Sequence, residues 1–138
     1  MILIVLYLVM VETFILINNW FMIFYLITVL LGTIYPIFLT KNGLISESAG
    51  SAVFIIKNNK LITPPIKSDI LPSITRNFLI EKICPQINLQ VLEKDINRWE
   101  MLDSDGVFLV GTNVEILNIS NIGRHEICTN NKVLELLY

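Results

Sequence analysis

Charged side chains are almost absent from the first 40 residues, and this asymmetry constrains the fold more than any other feature. Glu12 is charged there, whereas all ten Lys and Arg residues and the other eleven acidic residues follow Thr40. Residues 20–39 are uncharged and about as long as a helix that crosses the hydrocarbon core of a membrane. They also lack the polar residues at helical spacing that a surface helix would carry. The sequence predicts an apolar transmembrane helix within a membrane-type segment, 1–40, followed by a globular domain, 41–138.

The basic residues that follow this stretch predict its orientation. Lys41, Lys57 and Lys60 are the first of them, so the positive-inside rule puts the carboxyl-terminal domain in the cytoplasm, tethered to a membrane. A secretory signal is disfavoured, because no Lys or Arg precedes the apolar run and no A-x-A-like cleavage site follows it. If the segment were instead a buried helix of a soluble enzyme, the whole chain would be cytoplasmic.

Charge and ligand content exclude several classes of partner. A net charge of −2 without any run of Lys or Arg argues against nucleic-acid binding. Cys84 and Cys128 are far apart, and with His125 they are too few for a zinc site, so we expect two free, buried thiols and no bound metal. The segment 103–106 has residue types found in calcium loops but not the full ligand series, which favours a turn.

From Asn42 onward, short runs rich in β-branched and aromatic residues alternate with turn residues, which predicts a mixed α/β domain. Asn58-Asn59 is typical of a hairpin turn, and Pro64-Pro65 ends the pairing. An apolar stripe at helical spacing predicts a helix over 74–83, with Pro85 as its stop. The other predicted helices are 98–102 and 131–138. The predicted strands are 44–46, 53–57, 60–63, 89–92, 107–110 and 114–119.

An ordered series of motifs carries a family resemblance over residues 43–123. The motifs are Ser46-Glu47-Ser48-Ala49-Gly50, Val53-Phe54, Leu61-Ile62-Thr63-Pro64-Pro65, Ile70-Leu71-Pro72-Ser73-Ile74-Thr75-Arg76 and Val107-Phe108-Leu109-Val110-Gly111-Thr112. In this order they resemble the class IV pyridoxal-phosphate-dependent aminotransferases, especially the branched-chain amino-acid members. The resemblance implies part of the family's carboxyl-terminal, cofactor-binding domain, with an amino acid and a 2-oxo acid as substrates and a homo-oligomeric assembly.

The resemblance also implies a role for each of five cofactor-binding residues. Glu47 would pair with the pyridine nitrogen of pyridoxal phosphate and keep it protonated, which makes the ring a better electron sink. Leu71 would pack on the ring. Ile74 and Thr75 would bind the phosphate at the amino end of the predicted helix, where backbone N–H groups and the helix dipole favour an anion. Thr112 would add a second hydroxyl, although Thr75 could equally be a helix-capping residue.

Substrate contacts and departures from the family pattern lie beside these residues. The resemblance implies that Gly111 and the residue after Thr112 admit the substrate carboxylate, but Asn113 replaces a small residue there. Ser73 stands where the family usually has glycine, which predicts a backbone less free to wrap the phosphate. Ala52 stands where the family usually has asparagine.

The family's catalytic lysine has no counterpart in the sequence. It should precede Glu47 by a few tens of residues, yet no lysine precedes Lys41. Lys41 itself is only six residues before Glu47, in a segment that leads into a different strand in the family. Lys57, Lys60 and Lys67 lie near a hairpin and are expected to be solvated. We therefore expect a fragment or chimeric relative of a transaminase without turnover. The alternative is an active branched-chain or D-amino-acid transaminase completed by a second polypeptide that carries the lysine.

The apolar leader has a resemblance of its own. Residues 12–19 followed by 29–36, with an Asn-Asn pair and a Leu-Leu-Gly-Thr-x-Tyr-Pro run, resemble one segment of the cytochrome c-type biogenesis heme lyase. This implies a third possible function, a membrane-anchored protein of cytochrome c maturation. No functional residue is carried over, since a single span cannot form a multi-helix heme channel.

Overall fold

The computed structural model describes residues 35–137, and the chain divides into two units after Pro36. The unit that begins at Ile37 is a mixed α/β domain, as the sequence predicts. Its strands are β1 Ile37–Leu39, β2 Ile45–Ser48, β3 Ala52–Lys57, β4 Lys60–Thr63, β5 Val91–Glu93, β6 Gly106–Gly111, β7 Glu115–Asn118, β8 Asn121–Ile122 and β9 His125–Glu126. Its α-helices are α1 Ile74–Phe78, α2 Cys84–Gln86, α3 Arg98–Leu102 and α4 Lys132–Leu137, with a π-helical turn Leu79–Ile83 between α1 and α2.

A five-stranded sheet in the order β5-β4-β3-β6-β7 forms the centre of this unit. β4 and β5 are parallel and the other neighbours are antiparallel. The predicted hairpin is confirmed: β3 turns into β4 through Asn58 and Asn59, whose φ angles of 51° and 58° match the tight turn that suits the twist of a hairpin. Asparagine tolerates these positive φ values better than most residues do.

Side chains from alternate positions of β3 and β6 build a separate apolar core on each face of the sheet. Phe54 and Phe108, paired across the two strands, stack on one face with their ring centroids 5.3 Å apart. The helices cover this face through Leu79, Cys84, Val133 and Leu134. The opposite face is covered by Ile45, Ile96, Met101 and Ile127. Burial on both faces explains why β6 is a continuous apolar run rather than an alternating one.

The predicted helix over 74–83 is confirmed, but it does not stop before Pro85. The helical path continues through the π-helical turn into α2, whose first turn contains Pro85. The predicted turn at 103–106 is also confirmed, since it links α3 to β6.

The prediction of a membrane helix over 20–39 is wrong at its carboxyl end. Ile37–Leu39 is a strand, β1, that pairs antiparallel with β2, Ile37 opposite Ser48 and Leu39 opposite Ile45. Within residues 35–137, no helix is both long and apolar enough to span a membrane. The rest of the predicted span, and nearly all of the segment that resembles a heme lyase, lie outside the described residues.

The two cysteines differ in environment, although both were expected to be buried. Cys84 is fully buried in the core under the helices, where burial raises the pKa of its thiol. Cys128 is exposed, so the expectation is wrong for that residue. It follows the small β8–β9 hairpin.

Candidate cofactor site

Glu47 lies near the end of β2, and its side chain contacts the loop that precedes α1. One carboxylate oxygen, Oε2, accepts a hydrogen bond of 3.0 Å from the backbone N–H of Leu71. Partial burial raises the pKa of Glu47 above its ordinary value, and the Leu71 hydrogen bond opposes that rise. The carboxylate is thus tied to the residue that the family resemblance assigns to the face of the cofactor ring.

The amino end of α1 carries two side-chain oxygens with separate tasks. Ser73 is the capping residue, because its Oγ accepts a 3.2 Å hydrogen bond from the backbone N–H of Arg76. The alternative in which Thr75 caps the helix is therefore wrong. Thr75 Oγ1 instead lies 3.5 Å from Thr112 Oγ1, in the turn between β6 and β7. The two hydroxyls predicted to share one phosphate are neighbours.

Serine at position 73 does not strain the loop. Its φ of −102° and ψ of 126° are extended values that any residue adopts. The hydroxyl gained over the family's usual glycine satisfies an N–H that the first helical turn leaves free.

Gly111, at the end of β6, packs directly against the loop that follows Glu47. A Cβ atom added to Gly111 would lie 2.8 Å from the carbonyl oxygen of Gly50 and 2.9 Å from Oγ of Ser51, closer than such atoms can approach. Any larger residue would push the two loops apart. The absence of a side chain at this position therefore brings Thr112 close to the Glu47 loop.

These contacts close a circuit that gathers the predicted cofactor residues. Glu47 bonds to Leu71, the chain runs on to Thr75, Thr75 meets Thr112, and the Gly111 contact returns to the Glu47 loop. The predicted contact residues at the rim are open, with Leu71 69% and Ile74 89% exposed. Asn113 is exposed beside Thr112, whereas Gly111 is buried.

This arrangement suits the chemistry of pyridoxal phosphate. Two hydroxyls at the amino end of a helix can donate to a phosphate, and a carboxylate can accept the N–H of a protonated pyridine ring. An exposed leucine between them offers an apolar surface for the ring. The residues present fit the two polar ends of the cofactor and one of its faces.

Two residues at this site were missed by sequence reasoning. Ser73 was read as a departure from the family pattern rather than as a helix cap. Arg76, although inside a quoted motif, was given no role, yet it is 2% exposed. An arginine next to a proposed phosphate ligand was the available signal, but its partners are distant in sequence.

The family model for class IV aminotransferases matches residues 35–122. This chain belongs to the class IV aminotransferase family. The match begins just before β1 and ends with β8, so it includes the five-stranded sheet and every proposed cofactor contact. β1 is therefore part of the family domain rather than the end of a leader.

Known members of the family support the branched-chain likeness. The branched-chain-amino-acid aminotransferase of Escherichia coli K12 is 38% identical over 84 residues, which are 61% of this chain and 27% of that protein. The pyridoxal-phosphate form of the branched-chain amino acid aminotransferase of Thermobaculum terrenum superposes with a TM-score of 0.73 at 36% identity, covering 80% of this chain and 37% of that one. The Escherichia coli enzyme structure gives a TM-score of 0.68 at 31% identity, over 74% and 35% of the two chains.

The chain thus spans about a quarter to two fifths of these class IV relatives. The likeness covers the described α/β unit. It does not extend to the whole length of a transaminase.

Proposed function

We propose that this chain binds pyridoxal phosphate through the ring-nitrogen and phosphate contacts of a branched-chain aminotransferase-like site and does not transaminate by itself. The observation that carries the proposal is the closed circuit of contacts from Glu47 through Leu71 and Thr75 to Thr112. It gathers the two polar ends of a cofactor site on one side of the sheet.

The phosphate end is supported by hydroxyl and backbone donors together. Thr75 and Thr112 lie 3.5 Å apart, which lets both donate to oxygens of one phosphate. The helical path from Ile74 to Gln86 adds unpaired N–H groups and a favourable dipole at its amino end. Ser73 already occupies the N–H of Arg76, so the N–H groups of Ile74 and Thr75 remain as the backbone donors.

Glu47 supports the ring end. Partial burial disfavours its charge and raises its pKa, and an N–H⁺ group of the pyridine ring would offset that cost. The Leu71 N–H occupies Oε2, which leaves Oε1 for the ring. When bound, pyridoxal phosphate supplies an electron sink for the carbon atom that loses a proton, and Glu47 holds the proton at the ring nitrogen.

Two of the lysines, Lys57 and Lys60, lie away from this end of the sheet. Lys57 pairs with Asp103, and Lys60 flanks the turn after β3. Glu47 and Gly50 precede β3, and at about 3.3 Å per residue the five steps from Ala52 to Lys57 span roughly 16 Å. No lysine precedes Lys41, in the region where the family resemblance would put the catalytic lysine, and we therefore propose that the chain lacks the group that moves the substrate proton.

A second candidate is a transaminase completed by another polypeptide. It is favoured by the exposed apolar side chains of Leu71, Ile74 and Phe78 beside the proposed site, which a complementary chain would cover. Such a chain would supply the lysine and restore transamination of leucine when the two are mixed. Without a partner, this protein would have no activity.

Isothermal titration with 4′-deoxypyridoxine 5′-phosphate tests the first proposal. This analogue has the ring nitrogen and the phosphate but no aldehyde, so its binding needs no lysine. We expect saturable one-to-one binding that Thr75→Val weakens, while Thr40→Val, outside the circuit, leaves it unchanged. A folded chain that does not bind the analogue would contradict the proposal.

A further inference from the structure

Arg76 is the one charged side chain that is buried within residues 35–137. It lies in the first turn of α1, directly after Thr75, with 2% of its side chain exposed. Burying a guanidinium group is costly unless its hydrogen bonds are satisfied, and a helix exposed on one side could direct an arginine to solvent. The buried orientation therefore calls for an explanation.

The guanidinium joins α1 to the ends of two strands. Nη2 donates to the carbonyl oxygen of Pro64, which follows β4, at 2.9 Å, and to Oε2 of Glu93, the last residue of β5, at 2.7 Å. Nη1 reaches Oδ1 of Asn77 at 3.4 Å. One nitrogen, Nη2, thus donates to the carbonyl and to the carboxylate, and the rigid plane of the guanidinium fixes the directions of its N–H bonds, which the rotating ammonium group of lysine does not do.

This arrangement is not optimal for stability alone. Nε of Arg76 is buried and has no hydrogen-bond partner in the described part of the chain, and an unpaired buried donor destabilises the folded state. Glu93, its charged partner, is 47% exposed, so solvent weakens the ion pair. Residues that break the rules of packing for little gain in stability are often found at functional sites.

We call Arg76 and its two partners, Pro64 and Glu93, the clamp. The clamp joins the two ends of the loop that carries the proposed cofactor contacts. Pro64 opens this loop and Arg76 follows its end, with Leu71 and Thr75 between them. Joining the two ends fixes the first turn of α1 against the sheet. Thr112 extends from β6 of the same sheet, and the two threonine hydroxyls are 3.5 Å apart.

We propose that Arg76, held by Glu93 and Pro64, is a positioning residue for phosphate recognition that acts through Thr75. It does not touch the phosphate. Its guanidinium holds the amino end of α1 in the position, relative to the sheet, at which Thr75 and Thr112 can both donate hydrogen bonds to one anion. This inference rests on the proposed function, because it assigns a task at the same site.

The test compares two ligands that differ in one group, 4′-deoxypyridoxine 5′-phosphate and 4′-deoxypyridoxine. The ratio of their affinities measures phosphate recognition, whereas a general loss of structure lowers both affinities together. Arg76→Lys keeps the positive charge but loses the planar guanidinium, and we expect it to reduce the ratio at least tenfold while the affinity for 4′-deoxypyridoxine stays within about twofold. Glu93→Gln, which keeps the shape but not the charge, should reduce the ratio by a smaller factor.

Glu100→Gln is the matched control, because it removes the negative charge from a different ion pair, Lys94 with Glu100. Both residues of this pair follow β5 in the sequence, and neither belongs to the clamp. It should leave the ratio unchanged. An Arg76→Lys variant that keeps the wild-type ratio, or loses both affinities equally, would overturn the inference. If Arg76→Lys does not fold, Glu93→Gln decides, and an unchanged ratio in that variant has the same meaning.

The two levels of the proposal fail differently. A wild-type chain that binds both ligands equally has no phosphate site, which overturns the proposed function and the clamp with it. A wild-type chain that prefers the phosphate ester, with the preference retained in both clamp variants, overturns the clamp alone.

Discussion

The centre of the sheet and the rim of the proposed site use apolar residues in opposite ways. In β3 and β6, Phe54 and Phe108 are fully buried and stacked. At the rim, which we define as residues 71–78 and 112–113, Ile74 is 89% exposed although it opens a helix. The buried pair stabilises the domain, whereas the exposed residue contributes little to its packing. Stability and ligand binding should therefore respond to different substitutions.

The largest expected effect on stability is at the centre of the sheet. Phe54→Ala should lower the free energy of unfolding by about 3–5 kcal/mol, because it removes a buried ring and leaves a cavity beside Phe108. Urea denaturation followed by circular dichroism measures it. Ile74→Ala, the rim control, should cost less than about 0.5 kcal/mol. Equal losses in the two variants would remove the distinction between the two regions.

The rim should dominate ligand binding. Replacing both Thr75 and Thr112 by valine keeps their shape but removes two donors to a charged group, each worth about 1.5–3 kcal/mol. The affinity for 4′-deoxypyridoxine 5′-phosphate should then fall at least a hundredfold, with the urea midpoint nearly unchanged, because Thr112 is exposed. Calorimetry gives the affinity. A fall of less than threefold would show that the phosphate binds elsewhere.

Glu47 lies in β2 and accepts a hydrogen bond from Leu71 of the rim, so its substitution should change both stability and ligand binding. Burial raises its pKa in the folded state, so its contribution to stability is present below the pKa of the unfolded chain and is lost as pH rises through the folded pKa. Glu47→Gln should remove that loss and raise the thermal midpoint modestly at neutral pH. The same variant should bind the pyridine analogue more weakly. A lower midpoint at neutral pH would mean that the charged carboxylate stabilises the fold.

The smallest effect is expected at the far end of β3. Lys57 hydrogen-bonds Asp103 at 2.8 Å on the surface and lowers the pKa of that carboxyl. The contribution of Asp103 to stability is therefore present above the pKa that Asp103 has in the unfolded chain, and it is lost as pH falls through its pKa in the folded state. Asp103→Asn should shift the thermal midpoint least of the variants considered and leave the analogue affinity unchanged. A large shift that persists at high salt would contradict a solvated pair.

Local signals predicted the elements whose determinants are close in sequence. The β3–β4 hairpin followed from two turn asparagines between β-branched runs, and α3 was predicted with the bounds that the structure shows. β1 was missed because Ile37–Leu39 continues an apolar run that reads as helix, and its strand conformation depends on pairing with β2. β8 and β9 are two residues each, too short to produce a pattern.

The proposed site shows the same limit. The ordered motifs predicted the residues that the structure brings together, such as Thr75 beside Thr112. They did not predict that Ser73 caps α1, nor that Arg76 reaches Glu93, 17 residues further along the chain. Those contacts depend on how the loop folds back onto the sheet, which no local pattern encodes.

The proposed function makes one central claim, that this chain holds the phosphate and the ring nitrogen of the cofactor but has no lysine that reacts with it. The most direct measurement is to incubate the protein with pyridoxal phosphate, reduce it with sodium borohydride, and map modified lysines by mass spectrometry, with and without excess 4′-deoxypyridoxine 5′-phosphate. We predict cofactor binding that the analogue displaces, and no lysine whose modification the analogue blocks. A stoichiometric lysine adduct that the analogue prevents, accompanied by transamination of leucine, would contradict the account.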